Sequence, residues 1–193
     1  MTFFKTALRG AAAAAIIAAS ASFAMAQEVT LKLHQFLPPQ ANVPKLVLDI
    51  LADKIEADSE GRIKIERYPS MHLGGKLSEL MDQVTDGIAD IVLAVNGFTP
   101  GRFPRTEVFE LPFMVTDARA ASSAYWQLFE AHMKDTDFQD VKILGTFAHG
   151  PGMLHTKNPI ATPADLNGQN IRGGSRLVNQ LLEKLGGCPW ACP

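Results

Sequence analysis

The stretch Val29-Thr30-Leu31-Lys32-Leu33-His34 sets apolar side chains against polar ones at every second position. That is the period of a half-buried strand, and Pro38-Pro39 closes it. Beyond it the period changes. A helix starts at Asn42 or Val43 with Pro44 in its first turn, carries Leu46, Ile50, Leu51 and Ile55 at helical spacing, and stops at Gly61. Ile63 to Tyr68 reads as a second strand. Leu77 to Asp86 reads as a helix with Leu77, Leu80, Met81 and Val84 on one face, closed by Gly87. Ile91 to Val95 is a nearly continuous apolar strand. Strand, helix, strand, helix, strand predicts a parallel α/β sheet, because each crossover needs a helix to return the chain to the same edge.

Downstream, Gly97, Pro100, Gly101, Pro104 and Pro112 break regular structure between Asn96 and Pro112. Ala118 to Met133 is a helix bearing Tyr125, Trp126 and Phe129, whose rings read as core. Val141 to Phe147 is expected as a strand that runs into the turn His149-Gly150-Pro151-Gly152. Thr162 caps a short turn with Pro163 at its first position, and Ile171 marks a brief strand. Ser175 caps a last helix, Leu177 to Leu185, which Gly186-Gly187 ends. A lobe boundary falls before Ala118 or near Thr146. There is no internal repeat.

The first 26 residues stand apart. Lys5 and Arg9 give a positive start, Ala11 to Ala19 an apolar run, and Ala24-Met25-Ala26 small residues before Gln27. These are the three regions of a secretory signal peptide, so cleavage after Ala26 and a periplasmic product are expected. The run is too short and too alanine-rich for a membrane span. Its removal takes the 18 basic side chains to 16 against 20 acidic, near −4.

The chain of 193 residues is 47% hydrophobic and 20% charged, which is ordinary globular composition and enough for a sizeable core. Without a Lys/Arg run it offers no concentrated basic face for nucleic acid or for an anionic membrane surface. Cys188 and Cys192 are the only cysteines and sit at the extreme end, so the fold is not built on them.

Catalytic constellations are missing from the pattern. His149 and His155 have no cysteine pair upstream to complete a zinc site, no G-x-S-x-G elbow occurs, and Ser70 and Leu77 replace the required residues around Gly75-Lys76 of a would-be phosphate loop. No cofactor, metal or catalytic residue is therefore expected. What remains suits an anion. Arg172 ends a short apolar strand and precedes Gly173-Gly174, so a planar guanidinium can offer two hydrogen bonds to a carboxylate. By residue type alone, Arg172 and still more Arg176 read as solvated surface arginines. Phe36 and Phe98 follow strand ends, where open α/β sheets bind ligands, and read equally as core.

Several motifs point further. Pro69-Ser70-Met71-His72-Leu73-Gly74-Gly75, then Asp82 to Gly87, Asp90-Ile91, Gly97-Phe98-Thr99-Pro100-Gly101-Arg102-Phe103-Pro104 and Glu110-Leu111-Pro112-Phe113 occur in order. With His149-Gly150-Pro151-Gly152 and Pro163-Ala164-Asp165-Leu166-Asn167-Gly168-Gln169-Asn170-Ile171-Arg172, the chain resembles the DctP-like solute-binding proteins of TRAP (tripartite ATP-independent periplasmic) transporters. The resemblance implies a two-lobed periplasmic binding protein of α/β class that closes on an organic acid and passes it to a membrane permease. It also implies that Arg172 grips the ligand carboxylate, reversing the surface reading. Phe36, Asn96, Phe98, His149 and Arg176 are the remaining candidates for the ligand wall.

Members of that family continue well past this length, so the second lobe is expected to be incomplete. The expected division is a signal peptide to residue 26, a first lobe over 27–145, the start of a second over 146–187, and a frameshifted tail over 188–193. Read one base out of frame from the Pro189 codon, the codons for Cys-Pro-Trp-Ala-Cys-Pro give Leu/Met/Val, Gly, Leu/Met/Val, then Pro or Ser. The family commonly has Val-Gly-Met-Pro there. A fragment without receptor activity, a small secreted enzyme and an interaction module are the competing readings.

Overall fold

The computed structural model describes residues 28–191, so the segment read as a signal peptide and the last two residues lie outside it. The chain divides into two compact units, residues 28–74 with 89–92, and residues 75–88 with 93–191. The boundary expected at 145/146 lies inside the second.

The first unit is built on a three-stranded parallel sheet in the order β2-β1-β3, with β1 (Val29–His34) between β2 (Ile63–Tyr68) and β3 (Ile91–Val92). Register runs from Val29 opposite Ile63 to His34 opposite Tyr68 on one side, and Leu33 opposite Ile91 on the other. The expected strand to Val95 is paired only at Ile91–Val92. Its partner is the reason: β1 ends at His34, so residues 93–95 have no ladder to join. Leu33 and His34 are both buried, and the His34 Nε2 accepts a hydrogen bond from the Leu73 N–H at 3.3 Å.

The crossover helix contains α1 (Asp49–Asp58), entered through one wide turn, Pro44–Leu48, in which the Asp49 N–H donates to the carbonyl of Pro44, five residues back. Pro44, Leu48 and Ala52 are the buried positions, whereas Leu46 and Ile50 face solvent. Leu46 and Ile50 are themselves four residues apart, so helical spacing alone does not say which stripe turns inward, and the buried stripe is the one that starts at Pro44. A carboxylate fastens α1 to the sheet, since Glu56 Oε1 accepts from the Ile65 N–H at 2.8 Å. Arg67 on β2 reaches Asp49 and Asp53 on the same helix.

The second unit contains α2 (Leu80–Thr85), with Leu80, Met81 and Gln83 buried. Its largest element is α3 (Ala118–His132), capped by the Asp117 carboxylate, which accepts from the Ala120 N–H at 2.7 Å. Ala121, Tyr125 and Phe129 turn inward at helical spacing. Aromatic rings fill the space they face: Phe103 stacks on Phe138 at 4.6 Å, and Phe138 meets Phe129 edge-on at 5.8 Å.

Residues 142–155 form no regular element, and the strand expected over Val141–Phe147 does not form. Pattern alone cannot make a strand. Among the described residues no neighbour pairs with it, and Leu144 and Phe147 stay exposed. The nearest tether is the Ala148 N–H, which donates to Ser122 Oγ at 2.9 Å.

The chain then closes one strand-helix-strand crossover. β4 (Asn170–Gly173) pairs in parallel with β5 (Cys188–Ala191) through α4 (Arg176–Lys184). The residues read as a frameshifted tail thus supply β5, a strand the sequence reading did not anticipate. Before β4, Asp165 accepts from the N–H groups of Thr162 and Ala161 at 2.7 and 2.9 Å, which holds its carboxyl below the usual range. No helix among the described residues is long and apolar enough to cross a membrane.

Candidate functional site

A strand, two glycines and a capped helix place the charged residues of the site. Arg172 lies on β4 opposite Trp190 of β5, and its side chain is exposed. Its guanidinium has no hydrogen-bond or ion-pair partner among the described residues. Gly173 is buried directly after it, and a Cβ at that position would collide with the Asn179 side chain of α4. The tight turn therefore requires glycine, and it brings the end of β4 onto the start of α4. Ser175 caps that helix, its Oγ accepting from the Val178 N–H at 3.3 Å. Backbone N–H groups at this helix start are oriented toward any anion held there.

A second segment closes on the cap. Asn96–Phe98 forms one tight turn and Pro104–Glu110 a longer run of such turns. At Gly97 a Cβ would come 2.6 Å from Glu110 Oε1 and 3.2 Å from Ser175 Cβ, so the turn bearing Asn96 and Phe98 presses against the cap. The Ser175 hydroxyl donates to Glu110 Oε2, and Arg176 pairs with Glu107 Oε2 at 2.8 Å. Asn96 Nδ2 donates to the Tyr125 hydroxyl at 2.6 Å. Burial pushes the Tyr125 phenol up to about 12; the Asn96 hydrogen bond acts in the opposite, weaker sense.

The structure thus brings Asn96 and Phe98 to the cap that separates Arg172 from Arg176. His149 lies in the irregular run, exposed, with its ring edge-on to Phe147 at 5.9 Å. Phe36 follows β1 in the first unit. Sequence reading missed Glu107 and Glu110 as partners of the site. Residues three apart share a face where the chain winds into helical turns, and the prolines had marked that stretch as loop. Among the described residues no three His, Cys, Asp or Glu side chains converge as a metal site. The first unit carries a cavity of about 280 Å³ at the ends of β1 and β2, lined by Leu33, Gln35, Leu48, Asp49, Arg67 and Tyr68 among others. None of the candidate residues lines it.

A parallel strand ending in an exposed arginine, with a capped helix start beside it, is the equipment of an α/β domain that binds anions. The chain belongs to the bacterial extracellular solute-binding protein family 7 (DctP), whose profile matches residues 35–193. It is 31% identical over 182 residues to the outer membrane transporter protein TsaT of Comamonas testosteroni, covering 93% of this chain and 53% of that protein. A TRAP solute-binding protein from Rhodoferax ferrireducens, solved with copurified benzoate, is 45% identical with a TM-score of 0.81, over 85% of this chain and 51% of its own. Another, from a marine metagenome and specific for aromatic acid ligands, was solved with metahydroxyphenylacetate. It is 47% identical with a TM-score of 0.83, over 86% of this chain and 52% of its own. The chain therefore spans about half the length of the relatives it matches.

Proposed function

We propose that this chain carries the carboxylate-gripping part of an extracytoplasmic TRAP receptor, which captures an aromatic acid and delivers it to the permease. The observation that carries the reading is Arg172: an exposed guanidinium at the end of a parallel strand, followed by Gly173-Gly174 and the capped start of α4, with no partner among the described residues. Such a group forms a charge-assisted pair with a carboxylate, and the helix start adds dipoles of the right sign. The ligands named for the benzoate-bound and aromatic-acid-specific relatives support an aromatic body. Asn96, Phe98, Arg176 and His149 are the residues we assign around the ligand in the second unit; Phe36 belongs to the first unit and is a candidate by the family resemblance. In this reading the protein is exported with cleavage after Ala26, and residues 27–145 and 146–187 contribute to its first and second lobes. It works as a receptor rather than as an enzyme.

The test is calorimetry and thermal unfolding with benzoate, on folded wild type and Arg172→Ala. Loss of one charge-assisted pair, about 1.5–3 kcal/mol, should weaken binding by roughly 10- to 100-fold. An unfolding midpoint that no aromatic acid moves, or equal benzoate affinity in the variant, would refute the assignment.

A further inference from the structure

We propose that Glu107 makes this a site for singly charged acids and so determines its specificity; the inference rests on Arg172 as the carboxylate grip. Four charged side chains lie on the start of α4, on the strand that leads into it, or in hydrogen-bonding contact with that start. Two are arginines, Arg172 and Arg176, and two are carboxylates, Glu107 and Glu110, held on one face of the Pro104–Glu110 run.

Their pairing is unequal. Arg176 gives one arm of its fork to Glu107 at 2.8 Å and another to Gln180 Oε1 at 3.3 Å, while Glu110 accepts from the Ser175 hydroxyl at the cap. Glu107 is the more enclosed partner, its side chain 26% exposed against 45% for Arg176, so its charge is the less easily screened by water. One of these cations, Arg172, has no counter-charge among the described residues. A ligand with one carboxylate satisfies Arg172 and leaves Arg176 and Glu107 matched to each other, with Glu110 as the one surplus negative charge. A second carboxylate would enter a region where Arg176 is already matched and Glu110 adds a further negative charge. Three residues separate the two arginines in the chain, so their Cα atoms lie at most roughly 14 Å apart, and the turn between them shortens that. At such range one unit charge still discriminates between ligands that differ by one charge.

The probes are benzoate and benzene-1,3- and benzene-1,4-dicarboxylate, which share the ring and differ by one carboxylate. Wild type should bind benzoate more tightly than either diacid. Glu107→Gln, nearly isosteric, unmasks Arg176 and should move the diacid-to-benzoate affinity ratio up by about fivefold for at least one isomer. Arg176→Gln leaves Glu107 unmatched and should move the same ratio down. Opposite signs from the two halves of one ion pair separate a charge effect from loss of a structural contact, which would shift both variants the same way. The inference falls if wild type takes a diacid as tightly as benzoate, if Glu107→Gln leaves both ratios unchanged, or if the two variants shift the ratio in the same direction. Arg172→Ala keeps the two readings apart. If it abolishes benzoate binding while the ratios stay fixed, the grip stands and the charge assignment fails; if benzoate binds without Arg172, both fail.

Discussion

β1 and residues 141–147 have similar lengths and both begin with apolar residues at alternate positions, yet only one of them is a strand. β1 is hydrogen-bonded to β2 along its whole length and to β3 at its end, and Leu33 there is 2% exposed. In the other run Leu144 is 57% exposed and Phe147 43%, and no ladder forms. Part of the difference is local, because Leu144 follows Ile143 and breaks the alternation and Gly145 offers no side chain to bury. Alternation makes a segment able to bury one face, but burial and backbone pairing come from what lies beside it. β1 has a neighbour on each side and forms a central strand, whereas residues 141–147 pair with no strand among the described residues.

Hydrogen exchange gives the largest contrast. Leu31 and Leu33 amides should exchange by a route close to global opening, whereas Ile143, Leu144 and Thr146 should exchange from local openings, roughly a thousandfold faster or more. Equal protection in the two runs would show that 141–147 is paired in solution. Mutational stability follows. Leu33→Ala should cost about 2–5 kcal/mol in denaturant unfolding, and Leu144→Ala no more than about 0.5 kcal/mol. A cost at Leu144 matching that at Leu33 would break the comparison.

The smallest effect asks whether the helical core of the second unit is as closed as the sheet. Burial favours the neutral Tyr125 phenol in the folded state and raises it from 10.0 to about 12. Its contribution is therefore complete below pH 10.0, the unfolded value, and is lost as pH rises through about 12. Relative to Tyr125→Phe, wild type should lose stability across that window. Parallel alkaline limbs for the two proteins would mean that the ring is solvated.

Much of the fold was legible because its signals are local. β2 falls where alternation and the preceding Gly61 put it, α3 starts within reach of its Asp117 cap, and the Ser175 cap needs only the residues around it. What failed depends on distant partners or on which face of a helix turns inward. The 141–147 strand lacked a neighbour, β3 was cut short by the end of β1, and Leu46 and Ile50, apolar at helical spacing, lie on the exposed side of their helix. β5 stayed hidden because residues 188–193 read as a frameshifted tail, and a strand can carry Pro189 at a sheet edge. In the candidate site, Arg172 was visible as a residue type, but its role came from the family resemblance. Glu107 was illegible because its alignment with Arg176 requires helical turns across a stretch rich in prolines.

β5 also bears on how freely this region can vary. A parallel ladder is made of main-chain amides and carbonyls, so the neighbour that sets the height of Arg172 is indifferent to most side chains it carries. Pro189, opposite Ile171, already lacks a donor, and the pairing persists from Asn170 to Gly173. Cys188 and Trp190 can therefore drift while the guanidinium keeps its place. Length is another matter: one residue inserted at Gly186-Gly187 would slide Trp190 past Arg172 and move the arginine's neighbour by a full step.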